Sequence, residues 1–362
     1  MTFPQILTGC MMVFMLIGAL DHLCGDKYGL GTQFLRGFEA FGSLAVTMTG
    51  VLVLLSYVER FLGPLISPLC HALGMDPAMV VGMFLACDMG GYPLAGTLSD
   101  SAAAIGLGGM LLGSMMGANI VFNIPVALGM VKAEDRPAMS LGILCGFITI
   151  PIGCFCGGLV AGYDALLILQ LLIPVIVVSL LIALLLWLVP NGIAKAFLLF
   201  GRVISIVATI ACVLSICQSV TGLMVLPGLG DIRDAMDLVV NIVLILPGTY
   251  VMVTLLSRLL AKPVEKLGQK LHINSTATTG LVTTIANCIP TMGMTGDMDR
   301  RGKVLNFAFL VSGGYLLGDH MAFCNAMEPT LVLPMIVGKA VAAVTALLLA
   351  MLLTRHYDTE SK

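Results

Sequence analysis

The sequence predicts an all-α polytopic membrane protein, with about nine transmembrane helices and two re-entrant or broken hairpins arranged as inverted repeats. Three observations carry that prediction. Hydrophobic residues make up 59% of the chain and charged residues only 10%, whereas a soluble chain carries about a quarter charged residues. Apolar runs near 20 residues, the length that crosses a bilayer, recur from end to end. Basic residues fall almost entirely on one side once two of the runs are folded back as hairpins.

The spans predicted in order are 4–23, 40–58, 102–131, 138–162, 166–189, 203–224, 238–257, 303–325 and 330–354. The first run lacks a basic flank and a small-residue cleavage site, so it reads as a retained helix. Segments 78–96 and 276–296 are different. Each mixes glycine and proline into an apolar run, around Asp88-Met89-Gly90-Gly91-Tyr92-Pro93 and around Asn287-Cys288-Ile289-Pro290. Broken backbone at membrane depth is tolerated only where it is buried or lines a cavity. Each is preceded by a shorter mixed segment, 60–74 and 258–272, expected to be amphipathic and interfacial.

Charge decides whether those two segments cross. If all eleven stretches spanned, the two sides would hold eight and nine basic residues, with Lys339 inside a helix. With 78–96 and 276–296 as hairpins, one side holds fifteen and the other only Arg60 and Arg233. The hairpin topology follows, with the N-terminus outside and the C-terminus cytoplasmic.

A repeat supports the same architecture. Gly113–Asn123 and Gly314–Cys324 share Gly, Gly and Phe at equivalent places, and a shift of 201 residues also superposes Leu54-Leu55-Ser56 on Leu255-Leu256-Ser257 and Cys87 on Cys288. The expected units are 1–165 and 191–362, inverted with respect to each other, joined by a linking helix at 166–190. Inverted repeats with broken helices at the midplane are a transporter architecture.

Ionisable groups inside apolar runs are functional by default. Asp88 stands at the tip of the first hairpin, and Asp319-His320 in the middle of span 303–325. A buried carboxylate can neutralise a cationic substrate or carry a coupling proton. Tyr92, Phe122 and Phe323 would add a cation–π face, and Asn119, Asn123 and Asn287 would bind a hydroxyl. The structural readings compete: Lys339 would pair with Asp319 or Asp88 as an ion pair, the asparagines would join helices, and the paired glycines would serve close packing. His71 and His272 are expected at the interface, and Asp297–Arg301 as a solvated cytoplasmic turn.

Eleven cysteines sit mostly in apolar runs without metal-ligand spacing, so no metal and no cofactor are expected. A net charge of −2 offers no basic face for nucleic acid. No metalloprotease or nucleophile-elbow motif is present, and Leu316 stands where an aspartyl intramembrane protease would want glycine, so the chain does not read as an enzyme.

Several segments resemble the ethanolamine permease family of the ethanolamine utilisation system, EutH. They are Ala86-Cys-Asp-Met-Gly-Gly91, Leu112-Gly-Ser-Met-Met-Gly117, Ile120-Val-Phe-Asn-Ile-Pro-Val-Ala-Leu-Gly129, Thr149-Ile-Pro-Ile-Gly-Cys154, Arg301-Gly-Lys-Val304, Leu317-Gly-Asp-His320 and Pro334-Met-Ile-Val-Gly-Lys339. The chain departs from the family at Cys288, where a second asparagine precedes Ile-Pro, and in shorter loops after the first helix and around 163–165. The resemblance implies uptake of ethanolamine across a bacterial cytoplasmic membrane for catabolism, with the lipid bilayer and the small molecule as partners. A homo-oligomer is compatible with such an architecture. The alternatives are a passive channel for small amines or ammonium, and an ion-coupled transporter of another small polar solute.

Overall fold

A computed structural model describes residues 3–72 and 74–357. The side chain of His71, and those of the basic residues Lys262 and Lys362, lie outside the described residues. Every regular element among the described residues is helical. Helices α1 (Phe3–Leu23) and α2 (Leu30–Leu52) open the chain. The first hairpin is α3 (Pro77–Phe84) and α4 (Gly91–Leu98), and a wide helix follows over Ile105–Gly117 and Asn119–Asn123. Then come α5 (Arg136–Val160), α6 (Ala165–Leu188), α7 (Pro190–Thr221), α8 (Ile232–Val243) and α9 (Leu246–Leu271). The second hairpin is α10 (Ser275–Ala286) and α11 (Cys288–Gly293). The chain closes with α12 (Arg300–Gly313), α13 (Asp319–Met327) and α14 (Val332–Leu353).

Eight helices among the described residues are long and apolar enough to cross a membrane. The ninth expected span, 303–325, is not continuous: α12 ends at Gly313, and α13 begins only at Asp319. The cause is tertiary pairing. Tyr315 N–H donates to the Thr284 carbonyl and Leu317 N–H to the Ile285 carbonyl, both at 3.1 Å. The second hairpin thus satisfies the backbone that the break frees, as membrane depth requires. Asp319 and His320 therefore open a helix instead of sitting mid-helix. The mixed segment 258–272 is likewise not separate, being the end of the 26-residue α9.

Both hairpins are clasped at their bases by the residues that start their first helices. Asp76 accepts from Ala78 N–H at 2.8 Å as N-cap of α3, with Pro77 at the first helical position, and also accepts from Ser99 Oγ at 3.0 Å beyond the hairpin. Asn274 caps α10 by accepting from Ala277 N–H, and its own N–H and Nδ2 donate to Asp299 and the Asp297 carbonyl. Asp299 also caps α12 through Gly302 N–H. The loop 297–301 is accordingly a structural clasp with Arg301 buried, not a free solvated turn.

Glycines set the close approaches. A Cβ at Gly117 would collide with the Leu85 carbonyl, and one at Gly318 with the Ala286 carbonyl. Gly113 packs on Cys87, and Gly314 on Cys288. In each pair both members of the second contact lie 201 residues after those of the first. At the centre, α5 and α14 pack backbone to backbone through Gly153, Gly157 and Gly338, the small-residue mode of membrane helices. That contact turns the next residue, Lys339, towards the wide helix.

Candidate functional site

A cavity of about 1200 Å³ runs from exposed Arg36, Glu39, Arg258 and Glu265 to an inner head where Asp88, Asp319 and His320 meet. Three separate elements deliver these groups. The tip of the first hairpin carries Asp88 between α3 and α4, where Gly90 takes φ +88° to reverse the chain. The start of α13 carries Asp319 and His320, and α14 brings Lys339 from behind.

The head is a connected polar network. Tyr250 Oη donates to Asp319 Oδ1 at 2.6 Å. His320, 3% exposed, has Nε2 at 3.8 Å from Asp88 Oδ1 and Nδ1 at 3.1 Å from Lys339 Nζ. Lys339, 1% exposed, donates also to the Ser114 carbonyl at 2.7 Å. The expected direct ion pair of Lys339 with Asp88 or Asp319 is not formed; the imidazole stands between the ammonium and Asp88. An ammonium has no acceptor, so His320 Nδ1 accepts and the ring proton sits on Nε2, facing Asp88.

Phe122 and Asn287 also line the cavity. Asn287 Oδ1 accepts from Ile289 N–H as the cap of α11, which leaves its amide N–H groups. The other expected contacts lie elsewhere. Asn119 Nδ2 is committed to the Met115 and Val311 carbonyls at 2.5 and 2.6 Å, and Asn123 donates to Asn119. Phe323 is buried in the core, and Tyr92 is half-buried away from the cavity lining. An amide in a tightly packed helix finds a backbone carbonyl before it finds a ligand.

Sequence reasoning missed Tyr250, Tyr315 and Cys87. Tyr315 lies in the break before α13 with φ +54°, an uncommon backbone for a residue bearing a side chain. Its ring packs at a tilt of 58° against that of His320, centroids 5.1 Å apart, and its buried hydroxyl has no oxygen or nitrogen partner. Gly314 directly before it and Gly318 three residues after it are the signal in the sequence that could have pointed to this tyrosine. Cys87 Sγ, an Asp88 oxygen and a His320 nitrogen lie within 4.8 Å of one another, a grouping that the absence of metal-ligand spacing did not foresee. Their types suit a soft divalent ion. The Lys339 ammonium on Nδ1 holds the ring proton on Nε2, and that proton takes the lone pair such an ion would need.

The wall of the cavity is a polar stripe on α10. Thr278, Thr279 and Thr283 each donate their hydroxyl to the carbonyl four residues back. The family profile described as "Ethanolamine utilisation protein, EutH" matches residues 3–353.

The chain belongs to the EutH family.

It is 43% identical over 362 residues to a protein of Listeria monocytogenes serotype 1/2a named probable ethanolamine permease EutH, covering 100% of this chain and 97% of that protein. The equally named protein of Escherichia coli K12 is 39% identical over 396 residues, covering 99% and 97%. No solved structure matches. Membership in EutH accounts for the many apolar helices: this is a multi-pass membrane protein of the transporter class.

Proposed function

We propose that this EutH-family chain takes up ethanolamine as its ammonium cation across a bacterial cytoplasmic membrane, with the N-terminus outside and the C-terminus cytoplasmic. The observation that carries the reading is the convergence of two carboxylates, Asp88 and Asp319, on the head of one cavity. Ethanolamine is a small alkylammonium, protonated at neutral pH as a lysine side chain is. One carboxylate or both would neutralise the ammonium, and the face of Tyr315 or Phe122 would add a cation–π contact. The Asn287 amide, whose N–H groups are left over at the cavity wall, is the group suited to the substrate's hydroxyl.

The equivalent glycine contacts 201 residues apart support an inverted pair of units, 1–165 and 191–362, joined by 166–190. Clasped hairpins would then move as bodies against the α5–α14 pair. The test is uptake of labelled ethanolamine into proteoliposomes. Saturable flux that Asp319→Asn lowers at least tenfold, in a variant that still elutes as a single species, is the expected result, since a charge-assisted contact is worth about 1.5–3 kcal/mol. Non-saturating flux would instead indicate a channel.

A further inference from the structure

Charge at the head of the cavity does not balance. Asp88 and Asp319 contribute two negative charges, Lys339 one positive charge, and His320 with its single ring proton none. The mouth balances, with Arg36 and Arg258 against Glu39 and Glu265. The other titratable groups around the head are thiols and phenols, Cys87, Cys154, Cys288, Cys324, Tyr250 and Tyr315, uncharged in their ordinary forms; the Arg36 charge, which is felt at Tyr250, is already counted in the balanced mouth. An empty head therefore carries one uncompensated negative charge at membrane depth. Such a charge is costly, and a carboxylate with an imidazole beside it, Asp88 with His320, can remove it by taking up a proton.

We propose that the head exchanges one alkylammonium for one proton, so that a transport cycle moves no net charge. This rests on the reading of the site as an ethanolamine carrier. The proton has a defined place. Asp319 receives the Tyr250 hydroxyl at 2.6 Å, a donor suited to an ionised carboxylate. Asp88 takes no side-chain hydrogen bond of that kind among the described residues: His320 Nε2 lies 3.8 Å from it and the Cys87 thiol within 4.8 Å. The exchangeable proton thus belongs to the Asp88–His320 pair. Arrival of the substrate ammonium beside Asp88 sends it into the water of the cavity, and release of the substrate takes one back. Lys339 is a positioning residue. Held by the Ser114 carbonyl and His320, it sets the head one charge short of neutrality. Cation in and proton out amounts to transfer of the neutral amine, so the membrane potential does no work on the cycle.

The test uses proteoliposomes of the full chain with an entrapped pH dye and an imposed potassium diffusion potential, protein-free vesicles being subtracted. Exchange predicts saturable ethanolamine uptake with one proton leaving the lumen per substrate, and accumulation unchanged by an inside-negative potential. A cation uniporter would instead show the roughly fiftyfold accumulation that about 100 mV imposes on a monovalent cation, with no lumen pH change. That result, or acidification of the lumen with substrate entry, overturns the proposal. Absence of any saturable uptake would overturn the carrier reading beneath it and is told apart on that ground. Asp88→Asn gives a second readout, because its empty head is neutral and its loaded head positive. Its residual uptake should become potential-driven; residual uptake that stays potential-independent counts against the assignment of the proton to Asp88 and His320.

Discussion

Asp88 and Asp319 look alike in the sequence, each a lone carboxylate in an apolar run, yet the structure gives them different surroundings. Asp319 has a phenolic donor, and Asp88 has an imidazole backed by a buried ammonium. Tyr250→Phe should therefore weaken substrate affinity through Asp319 by about tenfold, in line with the worth of one hydrogen bond to a charged group, while sparing expression. Saturation kinetics of uptake measures it. Asn119→Ala should act the other way, lowering thermal stability in detergent by about 1–3 kcal/mol because two buried carbonyls lose their donor. Uptake per folded molecule would hold. The ionisable residues of the site were legible because charge is rare in such a chain. The asparagines were not, since an amide bonded to a carbonyl and an amide facing a ligand have the same sequence signature. Tyr250 was invisible because an aromatic in a span is ordinary.

The two hairpins were readable from glycine, proline and the basic-residue count, and the observed bases fall within a few residues of the expected 78–96 and 276–296. The break at Gly314–Gly318 was not. Nothing in Gly-Tyr-Leu-Leu-Gly forbids a helix; pairing with Thr284 and Ile285, distant in sequence, unwinds it. The wide winding of Ile105–Gly117 was equally hidden, because it too depends on a neighbour: Gly108 and Gly117 lie against backbone of the first hairpin. Adding a methyl at Gly117 or Gly318 should destabilise the fold, whereas at Gly129, helical and with nothing within 4 Å, it should cost nothing. Thermal unfolding of Gly117→Ala and Gly318→Ala against Gly129→Ala in one detergent checks it; equal losses would mean that the close approaches relax freely.

Across the whole molecule, contacts join loops that the basic-residue count assigns to one side. Lys303 pairs with Asp135 at 2.5 Å, Arg300 lies over the Tyr357 ring, and Asn274 joins Asp297 and Asp299. These loops belong to the side assigned fifteen basic residues. The two exceptions, Arg60 and Arg233, follow segments that also meet, since Ser56 and Tyr57 donate to the carbonyls of Gly228 and Pro227. Single cysteines introduced at Glu134 and Arg355 into a chain freed of exposed thiols should react with an impermeant maleimide only in inside-out vesicles, and one at Asp100 only in whole cells. The protonated substrate adds an expectation for the organism. A strain lacking this protein should grow normally on abundant ethanolamine at alkaline pH, where the neutral amine crosses lipid, and poorly at acidic pH. Equal defects at both would count against the carrier.

The threonine stripe of α10 has a consequence for what can travel along the cavity. With each hydroxyl proton spent on its own helix, the stripe turns only oxygen lone pairs and methyl groups towards the passing solute. Such a surface suits a donor-rich cation and holds it nowhere firmly. To a phosphorylated ethanolamine it offers no donor, and the two carboxylates at the end of the path repel the phosphate. The guanidinium groups of Arg36 and Arg258 at the mouth can hold a phosphate, but past them the corridor favours the bare ammonium: the phosphate ester should compete only weakly with ethanolamine for uptake, even though it carries the same ammonium.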